Sequence, residues 1–161
     1  MKFASRLLHR AVPAVLCLFF TLRVFAEVVV DDSGIKVSLT SPATRVISLA
    51  PNLTEILFFI GAGEQVVGAV EYSDFPAGAR QLPLVGAHNR FDVEQILSLK
   101  PDLIVAWLSG NSQDGLQALK QLGLPVFISE PSTVDGIVSL MERLGELTGN
   151  QTEAVDQASA F

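Results

Sequence analysis

Residues 45–76 read RVISLAPNLTEILFFIGAGEQVVGAVEYSDFP. Arg45–Leu49 is an apolar run of strand length, and Gln65–Val70 is a second. Between them, Asn52 and Glu55 stand at capping-box spacing, which predicts a helix over Leu53–Ile60 with Asn52 as its N-cap. Gly61-Ala62-Gly63 closes that helix, because glycine enters the left-handed region that a helix end requires. Both strands are apolar on both faces. Strand, helix, strand in that form is the unit of a parallel sheet covered by helices.

The pattern repeats toward the carboxyl end. Leu84–Gly86 reads as a very short strand and Ala87–Phe91 as a loop. Asp92 and Gln95 repeat the capping-box spacing and open a short helix to Leu99. Lys100-Pro101-Asp102 is a stop, followed by the strand Leu103–Trp107. Asp114–Leu122 is an amphipathic helix ended by Gly123, Pro125–Ser129 is a strand, and Thr133 to Leu147 has apolar residues at helical spacing. Gln151–Phe161 begins another helical pattern without a stop signal. On the amino-terminal side, Val28–Val30, the turn Asp31-Asp32-Ser33-Gly34 and the alternation Ile35/Val37/Leu39 predict a hairpin. The expected fold is α/β: a Rossmann-like lobe over residues 27–147, its mainly parallel sheet flanked by helices.

Four of the 11 basic residues and none of the 17 acidic ones fall in the first 26 positions, so the remainder carries a net charge of −10. A basic start, the apolar run Ala11–Leu22 and Val24-Phe25-Ala26 form the pattern of a cleavable secretory leader, residues 1–26. The run is shorter than the roughly 20 apolar residues that span a bilayer. The single cysteine, Cys17, lies within it, so the exported chain has neither disulfides nor thiolate metal sites. The acidic balance argues against nucleic-acid binding and against docking by charge onto an anionic membrane.

Catalytic signals are sparse. His88 is the only histidine beyond the leader, no serine lies in a GxSxG elbow, and Asp31-Asp32 sits in a turn. The glycines of Gly61–Gly68 follow a helix and precede a strand, the reverse of a dinucleotide fingerprint. His88 with Asp92 or Glu94 falls short of a zinc ligand set. Neither an enzyme nor a resident metal or cofactor is expected. The flat side chains are more informative. Tyr72, the only tyrosine, follows one strand; Trp107, the only tryptophan, ends another; His88 follows a third. Ligands of open parallel sheets bind at such strand ends. Each residue also has a plain reading, Trp107 as core and Tyr72 or His88 as solvated loop.

Residues 45–76 together with VEQILSLKPDLIVAW (93–107) and Gly110-Asn111 resemble the amino-terminal lobe of periplasmic-binding proteins that serve cobalamin and iron–siderophore ABC importers, most of all the cobalamin-binding members. The resemblance covers roughly residues 45–147. It implies two α/β lobes joined by a long helix, with ligand held in the cleft between them. On that pattern, residues 150–161 are the start of the connecting helix, the chain is truncated there, and the second lobe is absent. The resemblance implies that Tyr72 and Trp107 contact the ligand and that Pro51 and Asn52 line the same rim. His88 stands where the cobalamin-binding members carry a tryptophan. It reads as a polar wall contact, with axial ligation of cobalt or haem iron as its other possible role. Glu94 matches a surface acid that docks the membrane permease. The implied function is capture of cobalamin or a related corrinoid in the periplasm, as a transported ligand, for delivery to an ABC permease and its ATPase. The alternatives are a ferric siderophore, for which Arg90 is the candidate cation, haem, and a non-functional fragment.

Overall fold

A computed structural model describes residues 27–161. The expected leader, residues 1–26, lies outside the described residues. The opening hairpin pairs β1 (Glu27–Val30) with β2 (Lys36–Leu39), antiparallel. Then come β3 (Val46–Ser48), α1 (Pro51–Phe59) and β4 (Val66–Ala69). A two-residue ribbon of β5 (Gly86–Ala87) and β6 (Arg90–Phe91) leads into α2 (Val93–Ser98). The chain continues through β7 (Leu103–Trp107), α3 (Gln113–Gln121), β8 (Val126–Ser129), α4 (Val134–Thr148) and α5 (Gln151–Ala160).

The main sheet has the order β4-β3-β7-β8 and every pairing in it is parallel. Its strands are buried on both faces. Val46, Leu103, Val105 and Phe127 pack with Leu53 and Leu57 of α1, Leu140 and Leu144 of α4, and Ala154 and Ala158 of α5. Ile47, Ile104, Ala106 and Ile128 point the other way, onto Ile96 of α2 and Leu116 and Leu119 of α3. Burying each Leu, Ile or Phe side chain stabilises the fold by about 1.5–3 kcal/mol, so this two-sided packing is what makes a sheet of three- to five-residue strands persist.

β8 would expose its outer edge, but the turn of the opening hairpin covers it. The Asp32 amide donates to the Ile128 carbonyl (2.9 Å), the Ile128 amide to Asp31 Oδ2 (3.2 Å), and the Glu130 amide to Asp32 Oδ2 (2.6 Å). Arg143 of α4 fastens the same turn through Asp32 (2.8 Å) and the Val30 carbonyl (3.0 Å).

Three local expectations need correction. The N-cap of α1 is Ala50, not Asn52; Asn52 occupies the second helical position, exposed, with no side-chain cap bond. Pro51 explains the shift, because its fixed φ and missing N–H suit the first helical position. Leu84–Gly86 forms no strand of the sheet: Leu84 makes one isolated parallel bridge to Ala69, and Gly86 (φ +104°) turns the chain into the ribbon. The expected loop 87–91 accordingly contains β6. By contrast Asp92 caps α2, accepting from the Gln95 amide at 3.0 Å, and Gly61 (φ +81°) ends α1 in a Schellman turn, Ala62 N–H to Leu57 O at 2.8 Å. Gly149 (φ +73°) ends α4 and lets α5 fold back along it, with Ala154 and Ala158 buried.

Candidate functional site

Because all four strands are parallel, their carboxyl ends share one edge of the sheet. After β3 the chain crosses through α1 to β4 on one side; after β7 it crosses through α3, on the opposite face, to β8 on the other side. The connections diverge between β3 and β7, which makes that point the topological switch of the sheet, where open α/β folds bind ligands.

The singled-out residues stand around it as follows. Tyr72 follows β4, is 79% exposed, and has φ +68°. That left-handed conformation is uncommon for a residue other than glycine. Trp107 ends β7, half-buried against the core on the α1/α4 face. One strand, β3, separates β4 from β7, so their ends lie roughly 10 Å apart at ordinary strand spacing. His88 is exposed in the turn of the β5–β6 ribbon, Pro51 is half-buried at the first position of α1, and Asn52 is exposed beside it. Glu94 is exposed in the first turn of α2, the helix that leaves the ribbon.

Side chains to which the sequence reading gave no role latch these loops together. Thr54 of α1, fully buried, has its hydroxyl 2.8 Å from Ser48 Oγ and 3.1 Å from Ser73 Oγ, while Ser48 donates to the Ala50 carbonyl at 3.0 Å. One proton per hydroxyl satisfies the chain Ser73 to Thr54 to Ser48 to Ala50, which anchors the Tyr72 loop to β3 and α1. Glu130 accepts from the Ser109 amide and hydroxyl, both at 2.9 Å, joining the loops after β7 and β8. Asn111, 6% exposed, spans the switch point: its Oδ1 accepts from the Trp107 amide (2.6 Å), and its Nδ2 donates to the carbonyls of Leu49 (2.8 Å) and His88 (2.5 Å). An amide thus ties the ends of β3 and β7 and the β5–β6 turn together at the switch point.

A partly apolar groove of about 430 Å³ opens beside the rim, lined by Asn52, Ile56, Phe59, Phe75, Pro131 and Met141 among others. Among the described residues there is no cluster of three or more His, Cys, Asp or Glu able to hold a metal ion, and no helix long and apolar enough to cross a membrane.

Comparison with known proteins agrees with this architecture. Residues 46–161 match the family described as periplasmic binding protein. The vitamin B12-binding protein of Yersinia pestis (strain Pestoides F) is 41% identical over 126 residues, which is 76% of this chain and 45% of that protein. The chain therefore spans just under half the length of such relatives. Among solved structures, the periplasmic vitamin B12 binding protein BtuF of Vibrio cholerae superposes with a TM-score of 0.71 at 41% identity, over 74% of this chain and 47% of that one. The periplasmic heme-binding protein RhuT from Roseiflexus sp. RS-1 superposes with a TM-score of 0.66 at 28% identity, over 73% and 45%.

Proposed function

The chain belongs to the periplasmic binding protein family, and from that premise we propose that it is a solute-capturing lobe whose rim forms one wall of a corrinoid-binding cleft. Its transported ligand is cobalamin or a close relative. The chain acts in the periplasm, to which residues 1–26 direct it, and passes ligand to an ABC permease and its ATPase, with Glu94 as a docking acid. Its work is binding, with no covalent step.

The observation that carries this reading is the rim itself. Tyr72 follows β4 and Trp107 ends β7, on either side of β3, and a spacing of roughly 10 Å between those strand ends suits a macrocycle better than a small solute. Pro51, Asn52 and His88 extend the same edge. Affinity comes from apolar and aromatic contact, with a few polar groups for orientation. The identity to vitamin B12-binding relatives supports the corrinoid over other large flat ligands. One observation favours haem as a second reading: His88 presents an exposed imidazole at the rim, a group that ligates iron readily.

Calorimetric titration of the 161-residue chain with cyanocobalamin, haemin and a ferric hydroxamate tests the choice. Closed sites bury about 70–90% of a ligand's surface, and a single wall covers far less. Cyanocobalamin is therefore expected to bind weakly, with Kd above roughly 1 μM, and to bind in preference to the other two. Saturation by haemin or the hydroxamate without cyanocobalamin binding overturns the corrinoid reading.

A further inference from the structure

We propose that Asn111 is the positioning residue of the rim, its one buried side-chain amide setting where Trp107 and the His88 turn stand relative to each other before ligand arrives. The inference rests on the rim being the binding wall, as proposed above. Three chain segments far apart in sequence meet at this amide: the end of β3 through Leu49, the end of β7 through Trp107, and the β5–β6 turn through His88. The ribbon has two residues per strand and bonds to the rest of the fold mainly through its flanks, Glu71 N–H to Gly86 O (2.8 Å) and Asp92 N–H to Val85 O (2.8 Å). The bond from Asn111 is what fastens its tip.

The amide's orientation follows from its partners. A backbone N–H faces Oδ1 and two carbonyl oxygens face Nδ2, so the flipped rotamer would set like against like at every contact. Both Nδ2 protons are used. Each half of the side chain therefore has a separate duty. Oδ1 holds the loop that carries Trp107, and Nδ2 holds that loop to β3 and to the His88 turn.

The substitution Asn111→Asp separates the two duties. It has the same shape and keeps the acceptor for the Trp107 amide, but it loses both donors and sets a carboxylate against two carbonyl oxygens. In the isotopically labelled 161-residue chain, the amides of residues 87–90 are expected to fall from rigid order parameters near 0.85 to below about 0.6, while β7 and β8 stay rigid. Trp107, the only tryptophan, is expected to become more accessible to acrylamide quenching. With cyanocobalamin as probe, Kd is expected to weaken on the order of tenfold, the scale of one or two lost hydrogen bonds. Asp102→Ala, at the opposite edge of the sheet, where Asp102 accepts from the Thr44 and Arg45 amides, is the control that removes comparable bonds without touching the rim. Unchanged order at 87–90, or a loss spread evenly over the sheet in both variants, overturns the proposal. If Asn111→Asp does not fold, the unsubstituted chain decides: nuclear Overhauser contacts from the Asn111 side-chain amide protons to His88 and Leu49 support the clamp, and their absence refutes it. Saturation of the unsubstituted chain by haemin or the hydroxamate without cyanocobalamin binding sinks the corrinoid reading but leaves the order-parameter result to stand or fall alone.

Discussion

The six-membered ring of Trp107 lies directly on the backbone of Gly110: a Cβ at that position would overlap ring carbons Cε3, Cζ3 and Cδ2. The chain turns after β7 and passes beneath the indole of the strand it has just left. Gly110→Ala must push the ring off its seat. Overpacking of this kind costs about 1–3 kcal/mol, and the displaced indole becomes wetter. A red-shifted Trp107 emission and a lowered urea midpoint are expected. Unchanged emission would mean that the ring does not rest on Gly110.

Thr54 connects the Tyr72 loop to the sheet through Ser48 and Ser73. Thr54→Val keeps the shape and removes the hydroxyl, leaving the buried Ser73 hydroxyl without its acceptor. The expected loss is about 1–3 kcal/mol, read by chemical denaturation. Proteolysis should also accelerate selectively at residues 71–76. A stability loss without faster cleavage there would show that the loop is held by other contacts.

Asp31 does the work of a missing strand. Its Oδ1 accepts from Ser33 and Ile35 within the hairpin turn, and its Oδ2 accepts from the Ile128 amide at the edge of β8. An uncovered strand edge is a template for pairing with another chain. Asp31→Ala is therefore expected to cost about 2 kcal/mol or more and to raise self-association. Sedimentation velocity over a range of concentrations checks the second effect, and a variant that remained monomeric would rule out the edge-covering role.

The α/β architecture is legible from residues 45–76 because two short runs, apolar on both faces, flank a helix that ends in glycines, and few other arrangements bury both faces of such strands. Helix ends that depend on one local contact are read well where nothing competes, as with Asp92, and poorly where a neighbour does, as with Pro51 displacing Asn52 from the N-cap. The rim shows the same division. Tyr72 and Trp107 can be placed at strand ends from the local pattern, and the structure puts those ends on one edge with only β3 between them. The latches cannot be so placed: Asn111 meets Leu49 across 62 positions of sequence and Thr54 meets Ser73 across 19, and spacing encodes neither. The one available signal for Asn111 is an asparagine directly after Gly110, a polar side chain that a tight turn aims back at its own strand.

Exposure separates the two aromatic residues of the rim. Tyr72 is 79% exposed, so Tyr72→Ala should leave stability within about 0.5 kcal/mol. Trp107 is half-buried against the core, and Trp107→Ala should cost about 2 kcal/mol or more. On the proposed reading each ring contacts the ligand, so both substitutions should weaken cyanocobalamin binding by on the order of tenfold or more. A Tyr72→Ala chain with unaltered affinity would take the exposed ring out of the binding wall.

His88 decides between a wall contact and an axial ligand. It stands at the tip of a two-residue ribbon, exposed, with its carbonyl oxygen held by Asn111 and no hydrogen bond from its ring to any of the described residues. A wall contact adds surface and one polar group, so His88→Ala should weaken binding a few-fold and leave the absorption spectrum of bound ligand unchanged. An axial imidazole enters the coordination sphere of the metal, so its removal must move the visible bands of a bound corrinoid or haem. With a bound corrinoid, the expected outcome is weaker binding with an unchanged spectrum, the result that the proposed wall contact requires. A band shift on His88→Ala would assign the ligand's metal to this residue and favour haem or an aquated corrinoid as the cargo.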